Sequence, residues 1–313
     1  MPGFLERLRR PGSGAGEVTP ENGLVGYSSF DGHRLALRPW PGERVCLLLR
    51  PDRDRDPAVL ARILEALDAA HRYYAETSGR LPAPDRRFEG RDVIAEVGTT
   101  CGAGCSLIGA SGMEIMRPYF DVLYQGVERE GAYDQLPFYE LGRNFWFWSD
   151  QLAFKAPQVD PVVTGYAVWM RFRSIRAGGL PGGPFRELAF DRFQTEVEGL
   201  VGHYEAHPEA TFFDTLGRGH CPWGYGGTDL WASLMMQLAR RHGDQEFVTR
   251  FWHLAAQVPA AADTAGAVTN WVRLASAAAG TDLSPVFYDR WGFPRPDGRV
   301  SRRLPAEAVP EPG

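Results

Sequence analysis

Residues 138–146 include side chains that could act in catalysis. Their sequence is Phe-Tyr-Glu-Leu-Gly-Arg-Asn-Phe-Trp. On a helix, Tyr139 and Arg143 lie one turn apart on the same face, with Glu140 beside them. A glutamate can take a proton, an arginine fork can hold a carboxylate, sulfate or phosphate group, and a tyrosine can donate a hydrogen bond. The segment therefore predicts a polar site on one helix face.

Zinc hydrolases use the same spacing. They place His-Glu-x-x-His on a helix, so that two imidazoles share the metal and the glutamate takes a proton from its water. Here the two histidine positions hold Tyr139 and Arg143. The segment alone is a weak signal, because Glu140 and Arg143 also fit an ordinary helix ion pair worth about 0.3 kcal/mol.

Three further segments follow in an order that resembles a known family. Residues 112–114 (Gly-Met-Glu) resemble the Gly-Ala-Met-Glu-Asn edge strand of aminopeptidase N-type enzymes. Residues 163–167 (Val-Thr-Gly-Tyr-Ala) are similar to their Asn-Glu-Gly-Phe-Ala segment. Residues 225–230 begin a helical run, ending in 281–291, that is similar to the C-terminal helical part of the same catalytic domain. The resemblance to the gluzincin clan of zinc metallopeptidases covers roughly residues 90–295.

This resemblance implies an α+β fold. The expected architecture is a gluzincin-like (thermolysin- or aminopeptidase-like) catalytic domain with a small mixed sheet and a helical C-terminal subdomain. It also implies that the family's three zinc ligands correspond to Tyr139, Arg143 and Thr164. Tyrosine and threonine are poor zinc donors, and an arginine cation opposes a metal ion directly. The resemblance therefore predicts a degenerate His-Glu-x-x-His motif, with no metal and no cofactor.

Three residues are the catalytic candidates of such a site. The resemblance puts Glu140 at the general-base position, and Arg143 is expected to anchor an anion or leaving group. Tyr139 adds a hydrogen-bond donor. In such a site a cation holds an anion and a carboxylate takes a proton. These roles fit an elimination, or a ring closure on an amine, better than a hydrolysis without a metal.

Three further residues are the substrate-binding candidates. Glu114 matches the position that holds a substrate amine in the family, and Tyr225 lies near an oxyanion-stabilising tyrosine. Thr164 contributes a hydroxyl donor. The resulting hypothesis is a metal-independent enzyme, repurposed from a metallopeptidase fold, that acts on a small amine-bearing or amino-acid-like substrate with an anionic group, in specialised biosynthesis.

An alternative of a different class stays open. The chain could be a catalytically inactive pseudopeptidase that binds a peptide-like ligand or a partner protein and turns nothing over. Under this alternative, Tyr139 and Thr164 fill the cavity that the metal site vacated. A working metallopeptidase with another metal set is the least favoured interpretation.

Composition narrows the chemistry further. The chain has 313 residues, 44% of them hydrophobic, and a formal net charge of -5. This near balance of charges gives no basic field that would indicate nucleic acid or an anionic membrane as a partner.

Lys155 is the single lysine among 34 Lys and Arg residues, and no glycine loop precedes it. P-loop and Schiff-base chemistries need a dedicated lysine and are therefore not expected.

Hydrophobic patterns predict the elements that position these residues. Apolar residues recur at helical spacing over 57–78, with Asp56 as the N-cap and Pro57 in the first turn. Apolar runs at 44–50 and 93–97 predict buried strands. The rest of the chain, from about residue 137, has a mostly helical pattern.

The chain is predicted to have four parts: a disordered segment 1–22, an α/β subdomain 23–135, a helical subdomain 136–295 that carries the degenerate motif, and a disordered tail 296–313. No apolar stretch has the length of a secretory signal or a membrane span. Four cysteines are few for a disulfide scaffold, so reduced thiols and a cytoplasmic location are expected.

Four other segments are weaker candidates. His203 and His207 are one helical turn apart, but zinc is not expected there. Pro208 ends the helix directly after them, and histidines in the last turn of a helix commonly interact with its dipole. Residues 101–105 predict buried small side chains in a glycine-rich turn, and residues 52–56 predict a solvated loop. The aromatic run 145–148 is expected to be mostly core, and any exposed aromatic would offer a surface to a protein partner.

Overall fold

A computed structural model describes residues 23–297 and 299–300 of the chain. The predicted disordered segment 1–22 lies outside the described residues, as do residues 298 and 301–313 of the predicted tail. Within that tail, Val300 forms an isolated antiparallel bridge with Pro294.

Six strands form one mixed sheet within the described part of the chain. They are Val25–Ser28 (β1), Arg34–Pro41 (β2), Val45–Leu49 (β3), Asp92–Val97 (β4), Gly104–Ser106 (β5) and Met113–Met116 (β6). Their order across the sheet is β1-β2-β3-β4-β6-β5. Neighbours from β1 to β3 are antiparallel, β3, β4 and β6 run parallel, and β5 is antiparallel to β6.

Nine α-helices accompany the sheet in the described ranges. They are Pro57–Ser78 (α1), Arg117–Arg129 (α2), Leu136–Asn144 (α3), Ser149–Leu152 (α4), Val162–Ala177 (α5), Phe190–Ala206 (α6), Gly227–Arg241 (α7), Gln245–Leu254 (α8) and Thr264–Ala279 (α9). None of these helices is both long and apolar enough to cross a bilayer. A mixed sheet followed by a helical second half confirms the predicted α+β class.

Predictions that depend on local signals are confirmed. Helix α1 begins at Pro57, and the Ala58 N–H donates a 2.8 Å hydrogen bond to Asp56 Oδ1. Strands β3 and β4 coincide with the predicted runs at 44–50 and 93–97. Every residue of β3 is buried, as expected of a central strand that pairs with β2 on one side and with β4 on the other.

The predicted edge strand at residues 112–114 is wrong in its position. Strand β6 lies between β4 and β5, and β5 is the edge of the sheet. After β5 the chain turns back through residues 107–112, so that Cys105 pairs with Glu114. Strand β5 therefore pairs with the side of β6 that would be unpaired if β6 were the edge strand.

The prediction that residues 52–56 form a solvated loop is wrong for Arg55. Its side chain is 5% exposed, and Arg55 Nη2 lies 2.9 Å from Glu96 Oε1 and 3.2 Å from Asp121 Oδ1. Glu96 is fully buried, and a buried carboxylate is costly unless a cation pairs with it. The guanidinium carbon also lies 4.5 Å from the centroid of the Phe120 ring. The position of Arg55 is therefore determined by its contacts with Glu96 and Asp121, which are distant in the sequence.

The chain divides into two compact units. Among the described residues, unit 1 contains 23–76, 80–146 and 170–190, and unit 2 contains 77–79, 147–169, 191–297 and 299–300. The sheet and α3 belong to unit 1, and α7, α8 and α9 belong to unit 2. The predicted bounds 23–135 and 136–295 stay a prediction.

The aromatic run 145–148 packs the interior. Phe145, Trp146 and Trp148 are fully buried, and Phe147 is partly buried. In unit 1 the Phe145 ring stacks on Tyr74, with 5.3 Å between centroids. In unit 2 the Trp148 ring stacks on Trp252 at 4.6 Å. The run 145–148 thus packs in the core. Binding of a protein partner through exposed aromatic residues stays a prediction.

Candidate functional site

Helix α3 brings three of the predicted residues into contact within unit 1. A proline in its first turn, Pro137, starts the helix. Arg143 Nη2 donates a 2.7 Å hydrogen bond to Tyr139 Oη, and Arg143 Nε lies 3.6 Å from Glu140 Oε2. The spacings i,i+3 and i,i+4 therefore place a phenol, a guanidinium and a carboxylate together, as the sequence predicts.

Glu140 lies directly against the edge strand β5. It is 4% exposed, and its Oε2 accepts a 2.8 Å hydrogen bond from Ser106 Oγ. A Cβ on Gly104 would lie only 2.9 Å from Glu140 Cγ, so glycine is needed where the strand passes this close. The sequence gives no sign of these contacts, because a strand of three small residues has no periodic pattern.

The connection between β5 and β6 is also held by α3. Asn144 is fully buried, and its Nδ2 donates hydrogen bonds of 2.8 Å to the Leu107 carbonyl and 3.1 Å to the Gly112 carbonyl. Together with the bond between Ser106 and Glu140, these contacts fix the hairpin on the helix that carries the candidate site.

The electrostatics of the site make Glu140 more basic than an exposed glutamate and keep Arg143 positively charged. Burial raises the pKa of the Glu140 carboxyl, and Arg143 and the Ser106 hydroxyl only partly offset this effect. At Arg143, burial acts to lower the pKa, but Tyr139 and Glu140 outweigh it and the pKa is raised. A carboxylate with a raised pKa is a stronger base than an exposed one.

Glu140→Gln should make stability less dependent on pH. A carboxyl whose pKa is raised by folding stabilises the fold below the unfolded pKa, and this contribution is lost as pH rises through the folded pKa. The variant should therefore gain stability over wild type as pH rises from about 4, near the ordinary pKa of a glutamate, toward neutral, by about 1.4 kcal/mol per unit of pKa difference. Thermal melts of both proteins across this range check the prediction, and a difference that does not change with pH would contradict it.

A second arginine, which the sequence analysis did not single out, lies at the same tyrosine. Arg171 of α5 belongs to unit 1 and is buried. Its guanidinium carbon lies 5.6 Å from the centroid of the Tyr139 ring, and that of Arg143 lies 5.1 Å away. Arg171 also lies 4.9 Å from the Phe185 ring. Two guanidinium groups in cation–π range of one phenol make this the most cationic part of the candidate site.

Glu114 lies in unit 1 but forms a separate hydrogen-bonded group. It is fully buried, and its Oε1 accepts bonds from Tyr27 Oη at 3.0 Å and from the Phe30 N–H at 2.7 Å. Its Oε2 accepts a 2.7 Å bond from Thr100 Oγ1. Burial raises the pKa of Glu114, while these three hydrogen bonds oppose the shift. The Glu114 carboxylate thus joins β6 to β1, to the turn after β1 and to the segment that follows β4.

The other two predicted residues belong to unit 2. Thr164 lies in the first turn of α5, and Tyr225 lies just before α7. Tyr225 Oη donates a short hydrogen bond to Glu196 Oε2, and Arg192 Nε lies 2.9 Å from the other oxygen of that carboxylate. Unit 1 therefore contains Tyr139, Glu140, Arg143 and Glu114, whereas Thr164 and Tyr225 are found in the other unit.

The side chains of Tyr139, Glu140 and Arg143 do not fit a zinc ion. Arg143 puts a guanidinium beside the Glu140 carboxylate, and Tyr139 Oη accepts a hydrogen bond from that cation. Across residues 23–297 and 299–300, no group of three or more His, Cys, Asp or Glu side chains could hold a metal. His203 and His207 instead lie against the Trp223 indole, with ring centroids 6.0 and 5.6 Å away.

The expectation that all four thiols are reduced is wrong for one pair. Cys101 and Cys105 form a disulfide with their Cα atoms 5.6 Å apart, a separation that a disulfide spans readily. Cys46 and Cys221 are free and buried. Sequence spacing did not reveal the bridge, because the turn before β5 determines whether two cysteines four positions apart face each other.

Comparisons with protein-family models and with curated proteins give no match. Among solved structures, the chain is similar to a mutant of a functionally unknown conserved protein from Bacillus anthracis str. Ames, with a TM-score of 0.56 and 13% identity, over 82% of this chain and 48% of that one. Another structure described as a functionally unknown conserved protein from Bacillus anthracis str. Ames gives a TM-score of 0.54 and 12% identity over the same shares. These identities show a similar fold alone.

An aminopeptidase N family protein from Idiomarina loihiensis is a weaker neighbour. Its TM-score is 0.40 at 12% identity, over 76% of this chain and 43% of that one, a likeness too low to assign a fold. The chain spans about half the length of the solved structures it matches.

Proposed function

We propose that unit 1 carries a metal-independent active site for a small amine-bearing or amino-acid-like substrate that also has an anionic group. The contact among Tyr139, Glu140 and Arg143 carries this proposal. It combines a fixed cation, a phenol and a buried carboxyl whose charge is disfavoured. Such a set can hold an anion and take a proton from the same molecule.

The anionic end of the substrate would be held by Arg143. Its side chain is 18% exposed, so part of the side chain stays accessible while it contacts Tyr139 and Glu140. A guanidinium fork matches a carboxylate or phosphate group and is always charged. Arg171, at the same tyrosine ring, adds a second positive charge.

Glu140 would be the proton acceptor in one of two reactions. In an elimination, it takes a proton from the carbon adjacent to the one that bears the leaving group, the C–H electron pair forms a double bond between these two carbons, and the anion departs toward Arg143 with the electron pair of its broken bond. In a ring closure, it takes the proton from a substrate amine as the nitrogen displaces the anion. Both reactions need a base and an anion holder, which these two residues supply. Such steps suit specialised biosynthesis.

We derive the origin of the site from the order of its motifs. Segments 112–114, 138–146 and 163–167 follow one another as in the gluzincin clan. Under this proposal, Tyr139, Arg143 and Thr164 occupy the three former zinc-ligand positions. The mixed sheet of unit 1 and the helical second half of the chain are compatible with that origin.

A second candidate is a pseudopeptidase that binds a peptide-like ligand or a partner protein without turnover. The hydrogen bonds of the two candidate carboxylates favour it. Glu114 already accepts three bonds from the chain, and Glu140 accepts one from Ser106 while Gly104 packs on it. A substrate amine would have to compete with these donors.

Turnover and binding by Glu140→Gln distinguish the two candidates. Loss of turnover with retained binding supports the enzyme proposal, and wild-type turnover in that variant removes Glu140 as the base.

Arg143→Gln should abolish stabilisation by anionic ligands. The experiment measures the melting temperature of the full chain with panels of amines, carboxylates, sulfates and phosphates. Arg129→Gln is the matched control, because Arg129 is 68% exposed on α2, where its Nε lies 4.0 Å from Glu128. An anion that binds at this site should raise the melting temperature of wild type and of the control by several degrees, corresponding to about 1 kcal/mol or more. Equal shifts in all three proteins would place the binding elsewhere, and no shift with any compound would count against a small-molecule site.

A further inference from the structure

The disulfide between Cys101 and Cys105 encloses the part of the chain that lies against Glu140. Between the two cysteines are Gly102, Ala103 and Gly104, and the last of these packs on Glu140 Cγ. One residue beyond the bridge, Ser106 donates its hydrogen bond to the same carboxylate. The bridge therefore ties the middle residue of β5 to the loop before the strand, next to the candidate base.

The two cysteines of the bridge are not equally exposed. Cys101 is exposed in the loop that follows β4, whereas Cys105 is buried within β5. An attacking thiolate must approach a disulfide sulfur directly, so exchange begins at the sulfur that solvent reaches. The free cysteines, Cys46 and Cys221, are buried and provide internal controls.

Strand β5 is held by its pairing with β6 and by its contacts with α3. It is three residues long and pairs with β6 alone. Next to it, the Ala103 carbonyl accepts a 2.9 Å hydrogen bond from the Met116 N–H. Such a short edge strand is marginal by itself, so a covalent bridge at its start has a large effect on its position.

We propose that Cys101–Cys105 is a thiol–disulfide exchange site, and that its reduction releases β5 from Glu140. One thiolate of a small dithiol attacks Cys101 Sγ, the S–S bond breaks, and Cys105 leaves as a thiolate that takes a proton. The second thiolate of the reductant then attacks the mixed disulfide, forms its own disulfide and releases Cys101 as a thiol. Two electrons and two protons pass from the dithiol to the protein. The proposal does not depend on turnover.

The test uses the full chain, purified in air, with dithiothreitol as the dithiol. Iodoacetamide labelling under native conditions, read by mass spectrometry, should leave Cys101 and Cys105 unlabelled before reduction and label both after it. Hydrogen exchange at the amides of residues 104–106 should become faster by on the order of tenfold, the scale of the lost loop closure. Exchange in β3 should stay unchanged, and Cys46→Ser should behave like wild type.

Three results would overturn the proposal. The first is labelling of Cys101 before reduction, which would mean that no bridge forms. The second is resistance of the bridge to dithiothreitol in the folded protein. The third is exchange at residues 104–106 that is unaltered by reduction, or that rises equally in β3. Cys101→Ser/Cys105→Ser provides an independent comparison, because its amides at 104–106 should exchange rapidly without any reductant.

Discussion

Glu114→Ala should destabilise the protein by about 3 kcal/mol or more, because it leaves three donors without an acceptor. Tyr27 Oη and the Phe30 N–H lose Oε1, and Thr100 Oγ1 loses Oε2. Glu114 is fully buried, so water does not replace the carboxylate at no cost. Urea unfolding of the variant and the wild type measures the difference in the free energy of unfolding.

Glu114→Gln is the matched control. Its amide oxygen can still accept from Tyr27 and Phe30, and the Thr100 hydroxyl can turn to accept from the amide nitrogen, so the cost should be about 1 kcal/mol. If the alanine variant were as stable as the glutamine variant, the hydrogen-bonded role of Glu114 would be wrong. The glutamine variant also tests the proposed amine anchor, because it removes the charge and should remove amine-dependent stabilisation while the fold stays.

Gly104→Ala should cost about 2 kcal/mol, because the new methyl group has no space. Its position is 2.9 Å from Glu140 Cγ and 3.3 Å from the Glu114 carbonyl oxygen. The first contact is closer than real Cβ atoms come, so either the β5 backbone or the Glu140 side chain must shift. Unfolding in urea gives the cost, and a variant as stable as wild type would contradict the close packing of β5 on α3.

A double-mutant cycle with Glu140→Ala assigns that cost to one contact. The second substitution removes Cγ and the carboxylate, so Gly104→Ala should be less damaging in that background by about 1 kcal/mol or more. Gly199→Ala is the control for a glycine-to-alanine change, because Gly199 is exposed in α6 with no atom near its Cβ position. It should stabilise the helix by about 0.5 to 1 kcal/mol. Equal costs of Gly104→Ala in both backgrounds would show that Glu140 is not the neighbour that matters.

The parts of the fold that were predictable from sequence are those specified by nearby residues. Asp56 and Pro57 mark the start of α1, and the apolar run of β3 identifies a buried strand without knowledge of its partners. Strand order depends on contacts between distant residues, so the place of β6 inside the sheet could not be derived from its own four residues. Arg55 is a similar case, because only the buried carboxylate of Glu96 explains why a charged loop residue is buried.

The candidate site divides in the same way. Tyr139, Glu140 and Arg143 were predictable as a contact, because helical spacing alone brings them together. Arg171 comes from another helix, and Ser106 and Gly104 come from a strand too short to give a pattern. The three donors to Glu114 are spread over residues 27–100, so the sequence shows a buried carboxylate at most and not what satisfies it.

We propose that the site centred on Arg143 replaces a zinc site, so zinc binding is the property to measure. The most direct measurement is the zinc content of the full chain, purified without chelator, incubated with excess zinc and desalted, and determined by inductively coupled plasma mass spectrometry. Because Arg143 puts a permanent cation beside Glu140, the account predicts zinc far below one ion per chain, with the same value in Glu140→Ala. Stoichiometric zinc in the wild type that is lost in Glu140→Ala would contradict it.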